Sequence, residues 1–182
     1  MGSILKRDHN VCDVIISEDK LKGRIQELGE QITRDYKNKK LLVIGVLKGC
    51  FVFMADLVRE INLPCEIDFM YITSYNKSTV SSGVINIVKD LNIDVSGYDV
   101  LIIEDILDTG LTLETLCTLL QTRNPNSLKI CTLLDKPSRR KSNIFADYVG
   151  FVIDDNFVIG YGLDYAEEYR NLPYIGIYNQ NT

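Results

Sequence analysis

A pair of neighbouring carboxylates and a short polar loop follow directly after an apolar run in the middle of the chain. When ionised, Glu104 and Asp105 only accept hydrogen bonds, so they suit a pair of sugar hydroxyls or a hydrated metal ion. The loop at residues 109–112 offers hydroxyls and backbone amides at the start of a predicted helix, where the helix dipole favours an anion such as phosphate. Asp108 lies between these groups, where a carboxylate can accept or return a proton. The segment therefore predicts a site for a sugar phosphate.

The polar loop consists of Thr109, Gly110, Leu111 and Thr112. Gly110 lets the chain curl without a Cβ that would obstruct the phosphate. An isolated Asp-Thr-Gly would be explained more simply by helix capping. Helix capping alone does not readily explain a longer succession, in which two acids are followed by an Asp-Thr-Gly-x-Thr pattern and then by an amphipathic helix. The chain contains neither the P-loop nor the dinucleotide-binding glycine pattern, so those two kinds of nucleotide site are excluded.

The elements that must position this segment alternate between strand and helix patterns. After a helix cap at Ser17, apolar residues recur at helical spacing, and two further helical patterns follow. The residues predicted to line the helix faces are Leu21, Ile25, Leu28 and Ile32, then Phe51, Met54, Ala55 and Val58, then Leu113, Leu116, Cys117 and Leu120. Predicted strands cover residues 41–47, 65–71, 84–88, 100–103, 130–134 and 148–153. In the second of these strands the apolar alternation runs through Cys65, Ile67, Phe69 and Tyr71.

This alternation predicts an α/β fold, with a mainly parallel twisted sheet flanked by helices on both sides. Sheets of this kind bind ligands beyond the carboxyl ends of their strands, so the chemistry should lie there. The chain has no repeat and no linker rich in Pro or Gly, and its 182 residues favour a single domain spanning residues 1–182.

The overall composition excludes several other classes of protein. The chain is 46% hydrophobic and 25% charged, an ordinary balance for a soluble globular protein. A formal net charge of −5 gives no sign of a nucleic-acid-binding surface, and no stretch is apolar enough to span a membrane. The five cysteines are widely spaced and odd in number, which favours reduced, buried thiols in a cytoplasmic protein. With a single histidine, His9, the chain has almost no material for a Ser-His-Asp triad.

The acidic pair and the Asp-Thr-Gly-Leu-Thr loop resemble the phosphoribosyl-diphosphate motif of the type I phosphoribosyltransferases. The resemblance spans nearly the whole chain and narrows to the hypoxanthine-guanine members of that family. It implies that Glu104 and Asp105 meet the ribose hydroxyls, directly or through Mg²⁺, and that residues 108–112 hold the 5-phosphate. It also implies that Asp108 lies near N7 of the purine as general base or acid. Leu111 occupies a position at which family members vary.

The same resemblance assigns a pyrophosphate loop to Lys48 and Gly49, which follow the first buried strand. Lys48 and neighbouring amides would face the leaving group, and the Leu47–Lys48 peptide can be cis in this family. Ser74 and Tyr75 would begin a flexible lid that keeps water away from C1 of the sugar. The alternative for Lys48 is a solvated loop lysine, and the alternative for the lid is an ordinary hairpin loop.

A third group of residues would bind the base and the leaving group. Lys136, directly after a strand, would reach O6 of the purine, where an ammonium donor selects a 6-oxo over a 6-amino group. Phe157 would stack on the ring, and the Val158 backbone would read its edge. Asp164 would bind a second Mg²⁺, and Arg170 would pair with pyrophosphate oxygens. Taken singly, Lys136 is also explained as a plain loop lysine and Phe157 as a core residue.

The resemblance implies an enzyme that joins hypoxanthine or guanine to the phosphoribosyl group of 5-phosphoribosyl 1-diphosphate, with Mg²⁺ as cofactor. It further implies a small hood built from the N-terminal and C-terminal segments and a homodimer or homotetramer. Neither nucleic acid nor membrane is expected as a partner. Three alternatives stay open: an enzyme of this fold acting on xanthine or adenine, a regulator that senses the activated sugar and binds RNA or DNA, and a scaffold without catalysis. A scaffold would have little reason to retain the acidic pair and Asp108.

Overall fold

The structure, a computed structural model, describes residues 11–74 and 85–179 of the chain. Within these ranges the three predicted helices and the six predicted strands are present, together with three strands that the sequence analysis did not predict. The helices are α1 (Glu18–Asp35), α2 (Phe51–Glu60) and α3 (Leu111–Gln121). The strands are β1 (Val11–Ile16), β2 (Leu41–Leu47), β3 (Cys65–Ser74), β4 (Ile85–Lys89), β5 (Asp99–Leu107), β6 (Ser127–Asp135), β7 (Tyr148–Val152), β8 (Val158–Ile159) and β9 (Ile175–Tyr178).

Six of the described strands form one sheet in the order β4-β3-β2-β5-β6-β7. Within it β3 and β4 are antiparallel, and the other neighbouring pairs are parallel. The predicted, mainly parallel sheet is therefore confirmed. Gly45 of β2 pairs with Ile103 of β5, so the loops that follow Leu47, Leu107 and Asp135 all begin at one edge of the sheet.

Both faces of this sheet are covered by helices, as predicted. Leu41 and Val43 of β2 belong to a hydrophobic cluster with α1 and α2. Leu42 and Ile44, which point the other way, belong to a second cluster with α3. Because successive residues of a strand alternate between faces, a strand covered on both sides needs an uninterrupted apolar run. The run in β2 has this cause, and all four side chains are at most 2% exposed.

The first helix begins where the sequence predicts it. Ser17 Oγ accepts a hydrogen bond from Lys20 N at 3.4 Å, and Glu18 and Asp19 place negative charge in the first turn. The predicted apolar face of α1 is buried: Leu21, Ile25, Leu28 and Ile32. In α3 the buried residues are Leu113, Leu116 and Leu120, again as predicted.

The buried face of α2 differs from the predicted one. Phe53, Met54 and Leu57 are buried, whereas Phe51 and Ala55 are exposed. The helix begins with a run of apolar residues, so the sequence pattern is consistent with several rotations about the helix axis. Packing against α1 and the sheet selects one of them.

The prediction for β3 is also partly wrong. Ile67 is 44% exposed, whereas Asp68 on the alternate face is only 6% exposed. Five groups donate hydrogen bonds to the Asp68 carboxylate: the backbone amides of Phe69, Asn92 and Ile93, the side-chain amide of Asn92 and the ammonium of Lys89. Burial by itself would raise the pKa of Asp68, but these donors outweigh burial and hold that pKa below its usual value. Asp68 can therefore occupy a buried strand position that usually carries an apolar residue, because hydrogen bonds satisfy its carboxylate.

A second, antiparallel sheet joins the two ends of the described chain. Its order is β1-β9-β8, with Val11 paired to Tyr178 and Ile16 paired to Ile175. All five cysteines are free, as predicted, but only Cys50 and Cys131 are buried; Cys65 and Cys117 are partly buried, and Cys12 on the edge strand β1 is exposed. No helix in the described part of the chain is long and apolar enough to cross a membrane.

Candidate active site

The loop between β5 and α3 begins later than the sequence predicts, because β5 continues through the acidic pair to Leu107. Gly110 then caps the N-terminus of α3 in a left-handed conformation, φ 79°. A Cβ on Gly110 would lie 2.2 Å from Ser142 Oγ and 2.8 Å from Ile144 Cγ2. Glycine is thus needed for both conformation and space. The first amides of an α-helix have no partner within the helix, so those of α3 are suited to bind an anion.

Arg140 holds this loop in place, and the sequence analysis did not single it out. Its guanidinium donates to the carbonyl oxygens of Leu107, Asp108 and Ile144 at 2.7–3.2 Å. It also forms an ion pair with Asp135 at the end of β6. In the sequence only two neighbouring arginines in a polar stretch after a strand mark this residue. That pattern by itself does not predict which groups the arginine contacts.

Burial raises the pKa of both members of the acidic pair. For Glu104 the pKa is well above its usual value, because surrounding protein atoms desolvate the carboxylate and the Asp105 charge repels a second negative charge. For Asp105 desolvation raises the pKa to about 6, against the opposing effect of the Ile106 amide, which donates to Oδ1 at 2.8 Å. Two adjacent desolvated carboxylates form a site where a cation is favourable.

A cavity of about 850 Å³ lies between the carboxyl edge of the main sheet and the second sheet. It brings together six residues that the sequence analysis selected: Asp105, Asp108, Lys136, Phe157, Val158 and Asp164. It is also lined by residues that the analysis did not select, among them Cys12, Arg139, Asp155 and Tyr178. Residues from separate parts of the chain therefore meet around one cavity.

One end of this cavity combines a buried ammonium with an aromatic group. Lys136 is 6% exposed, and its Nζ donates to the Asn156 carbonyl oxygen at 2.5 Å. Burial lowers the pKa of Lys136, although the nearby Asp108 and Asp155 carboxylates oppose that effect. Phe157 is 42% exposed. Its ring packs edge-on against Tyr165 and Tyr178, with centroids 5.8 and 6.0 Å away.

Asp108 presents an unsatisfied oxygen next to this end of the cavity. Arg139 Nε lies 3.0 Å from Asp108 Oδ1 as an ion pair, and its NH1 lies 3.2 Å from Asp155 Oδ1. The contact with Asp108 lacks hydrogen-bond geometry, so Oδ1 is buried without a hydrogen-bond partner in the described residues. Such an atom gains most from a ligand that donates a proton to it.

The opposite end of the site is built from the loop after β2 and the segment after β8. The Leu47–Lys48 peptide is cis. A Cβ on Gly49 would lie 1.6 Å from Asp105 Oδ2, so any larger residue here would displace the Asp105 carboxylate. Arg170 NH2 lies 2.9 Å from Asp164 Oδ1. Lys48 and Arg170 both pair with Glu167, another residue that the sequence analysis did not select.

The predicted lid falls mostly outside the described residues. Ser74 is the last residue of β3, and Tyr75 and the rest of the predicted loop lie outside the described ranges.

Comparison with known proteins identifies the family of this chain. The sequence model of the phosphoribosyl transferase domain matches residues 16–166, and the chain belongs to the phosphoribosyltransferase family. It is 55% identical to the hypoxanthine-guanine phosphoribosyltransferase of Bacillus subtilis over 93% of this chain and 94% of that protein. It is 53% identical to the hypoxanthine phosphoribosyltransferase of Haemophilus influenzae over 94% of this chain and 97% of the relative.

Solved structures give the same result. A hypoxanthine phosphoribosyltransferase from Staphylococcus aureus superimposes with a TM-score of 0.95 at 49% identity, covering 98% of this chain and 97% of the other. The resemblance drawn from the acidic pair and its loop, including the type I fold, is confirmed.

Proposed function

We propose that this protein transfers the phosphoribosyl group of 5-phosphoribosyl 1-diphosphate to N9 of hypoxanthine or guanine, giving IMP or GMP and pyrophosphate. One observation carries the proposal: a single cavity joins the acidic end of β5 to a buried lysine and an exposed aromatic ring. We assign the sugar phosphate to the first part and the 6-oxopurine to the second. The similarity of this chain to hypoxanthine-guanine and hypoxanthine phosphoribosyltransferases supports the assignment.

The ribose and its 5-phosphate are assigned to the β5–α3 connection. Glu104 and Asp105 would accept hydrogen bonds from the ribose hydroxyls, and residues 108–112 would surround the 5-phosphate. Support comes from the position of Gly110 at the start of α3, where free amides and the helix dipole favour an anion. Arg140 would act indirectly, because it binds the carbonyl oxygens of the loop rather than facing the cavity.

Mg²⁺ fits the acidic residues of this site. Oxygen ligands suit this ion, and the desolvated pair Glu104 and Asp105 would be relieved by a positive charge. Asp164 would contribute on the pyrophosphate side. Among residues 11–74 and 85–179 no three acidic, histidine or cysteine side chains converge as ligands, so substrate oxygens and water must complete the coordination. When bound, Mg²⁺ neutralises charge that develops on the pyrophosphate.

The purine is assigned to the end of the cavity near the second sheet. Lys136 would donate to O6, since an ammonium has two further donors besides the one on the Asn156 carbonyl oxygen. This donor disfavours adenine, whose 6-amino group is itself a donor. Phe157 would stack on the ring, and the Val158 backbone would contact its edge. We propose that the β1-β9-β8 sheet is the hood that covers the base.

The reaction then needs only positioning, charge stabilisation and one proton transfer. Purine N9 forms a bond to C1 of the ribose while the bond from C1 to the diphosphate oxygen breaks with inversion. Pyrophosphate leaves with that electron pair, and the proton of purine N7 passes to Asp108, whose Oδ1 lacks a hydrogen-bond partner in the described structure. Lys48 and Arg170 would stabilise the charge on the leaving group.

Three further parts of the proposal rest on the family. Ser74 and Tyr75 would begin a lid that excludes water from the oxocarbenium-like transition state. The protein would act in the cytoplasm as a homodimer or homotetramer. In the hypoxanthine phosphoribosyl transferase of Trypanosoma cruzi, 38% identical to this chain, the C-terminal region has a role in oligomeric state and enzymatic activity.

A substrate panel tests the proposed function. The purified protein is mixed with 5-phosphoribosyl 1-diphosphate, Mg²⁺ and, separately, hypoxanthine, guanine, xanthine or adenine, and nucleotide and pyrophosphate are quantified. We expect equal amounts of both products with hypoxanthine or guanine, little with adenine, and none after chelation of the metal. A preference for adenine would contradict the role of Lys136. Absence of turnover with all four bases would contradict the proposed function itself.

A further inference from the structure

Glu167 lies between the two cations assigned to the leaving group. Its Oε2 is 3.1 Å from Lys48 Nζ and 3.2 Å from Arg170 NH2. These cations come from distant parts of the chain, since Lys48 and Glu167 are 119 residues apart. Lys48 first, and Arg170 with it, hold the pKa of Glu167 below its usual value. In the free protein one carboxylate therefore bridges both positive charges.

The local backbone directs this carboxylate toward the cations. The Glu167 amide donates to Asp164 Oδ2 at 2.9 Å. Tyr165 and Glu168 exchange backbone hydrogen bonds at 3.2 and 3.0 Å, which closes a tight turn. Glu167 itself has φ 70°, a left-handed conformation that is uncommon for residues other than glycine. The bridging position is thus built into the turn between Asp164 and Arg170.

We propose that Glu167 competes with the diphosphate of the substrate, and with product pyrophosphate, for Lys48 and Arg170. The inference rests on the proposed function, because it assumes that these two cations receive the leaving group. A carboxylate oxygen and a non-bridging phosphate oxygen are the same kind of charged acceptor, and the bridging carboxylate occupies a donor on each cation that the diphosphate would use.

The exchange needs no rearrangement of the fold. The side chains of Lys48 and Glu167 are 48% and 63% exposed, so the carboxylate can rotate into solvent when the diphosphate arrives. Arg170 is 18% exposed and keeps its hydrogen bond to the Gly162 carbonyl oxygen, so it stays in place. Glu167 therefore weakens the binding of pyrophosphate and favours its release.

Calorimetric titration with pyrophosphate in excess Mg²⁺ tests this inference. The variants are Glu167→Gln and, as a second replacement that tolerates the left-handed backbone, Glu167→Asn. Solvent-exposed ion pairs are weak, so loss of two of them predicts about fivefold tighter binding of pyrophosphate in both variants. Affinity for IMP, which carries no diphosphate, should change less than about twofold.

Glu168→Gln is the matched control. Glu168 is exposed, carries the same charge and lies in the same turn, but it forms no ion pair within the described ranges. Its replacement measures the effect of removing one negative charge near the site. Equal affinities in the Glu167→Gln and Glu168→Gln variants would overturn the inference, and so would weaker binding in both Glu167 variants, since that would make Glu167 a support for the cations. Wild-type protein that binds neither pyrophosphate nor 5-phosphoribosyl 1-diphosphate would instead refute the proposed function.

Discussion

Asp108→Asn removes the carboxylate that is proposed to take the N7 proton, while it keeps an oxygen acceptor of similar size at the same position. Asparagine can still accept a hydrogen bond from N7, but it cannot take the proton. We therefore expect the variant to bind nucleotide almost normally and to turn over slowly. General acid–base groups contribute typically about 10²–10⁴ in rate. A fall of about 100-fold in kcat corresponds to about 2.7 kcal/mol in the activation free energy.

The structure indicates how much of this loss an indirect effect can explain. The substitution also removes the ion pair between Asp108 and Arg139, whose side chains are 38% and 48% exposed. Ion pairs with this much solvent exposure contribute at most about 1 kcal/mol, which is roughly fivefold in rate. A loss of kcat well beyond fivefold therefore requires a direct role of the carboxylate.

The assay is steady-state kinetics with hypoxanthine, combined with calorimetric binding of IMP. Asp155→Asn is the control, because Asp155 pairs with the same arginine at 3.2 Å and lines the same cavity. We expect this control to keep kcat within about fivefold of wild type. The reasoning would be refuted if Asp108→Asn also stayed within fivefold, or if both variants lost activity equally.

Three further outcomes are expected. Lys136→Met keeps the apolar stem but removes the donor to O6. Because hydrogen bonds to charged groups contribute about 1.5–3 kcal/mol, kcat/KM for hypoxanthine should fall roughly 10- to 100-fold, while binding of the activated sugar should not change. An unchanged kcat/KM would contradict the proposed role of Lys136. Gly49→Ala places a Cβ 1.6 Å from Asp105 Oδ2. Titration with the activated sugar and Mg²⁺ should therefore show binding at least about tenfold weaker. A normal affinity would show that the contact between Gly49 and Asp105 has no part in binding the sugar. Asp68→Asn should lower the unfolding free energy by about 2 kcal/mol at pH 7 in urea titrations. Because the folded pKa of Asp68 lies below its usual value, this contribution is present above about pH 4 and is lost as pH falls further, so a difference between the two proteins that stays constant down to pH 2 would contradict it.

Most elements of the fold follow from the sequence. An uninterrupted apolar run such as residues 41–47 can only be a strand covered on both faces or a buried helix, and its length selects the strand. The spacing in α1 and α3 likewise defines one buried face each. The pattern was insufficient in α2, whose first five residues are all apolar, and in β3, where the buried Asp68 depends on amide donors from a later loop.

The acidic pair and its loop were predictable as a candidate site because they are contiguous: one strand, one turn and one helix bring their side chains together regardless of the rest of the fold. The other candidate residues come from separate segments, and family resemblance was needed to select Lys48, Lys136 and Arg170 from the sequence. Only the tertiary structure showed that Arg140 holds the loop between β5 and α3 and that Glu167 bridges two cations. Charged residues in polar loops form no periodic pattern, and the partner of such a residue can lie more than a hundred positions away. Contacts of this kind are therefore determined by how the sheet brings the loops together, and no local stretch of sequence predicts that arrangement.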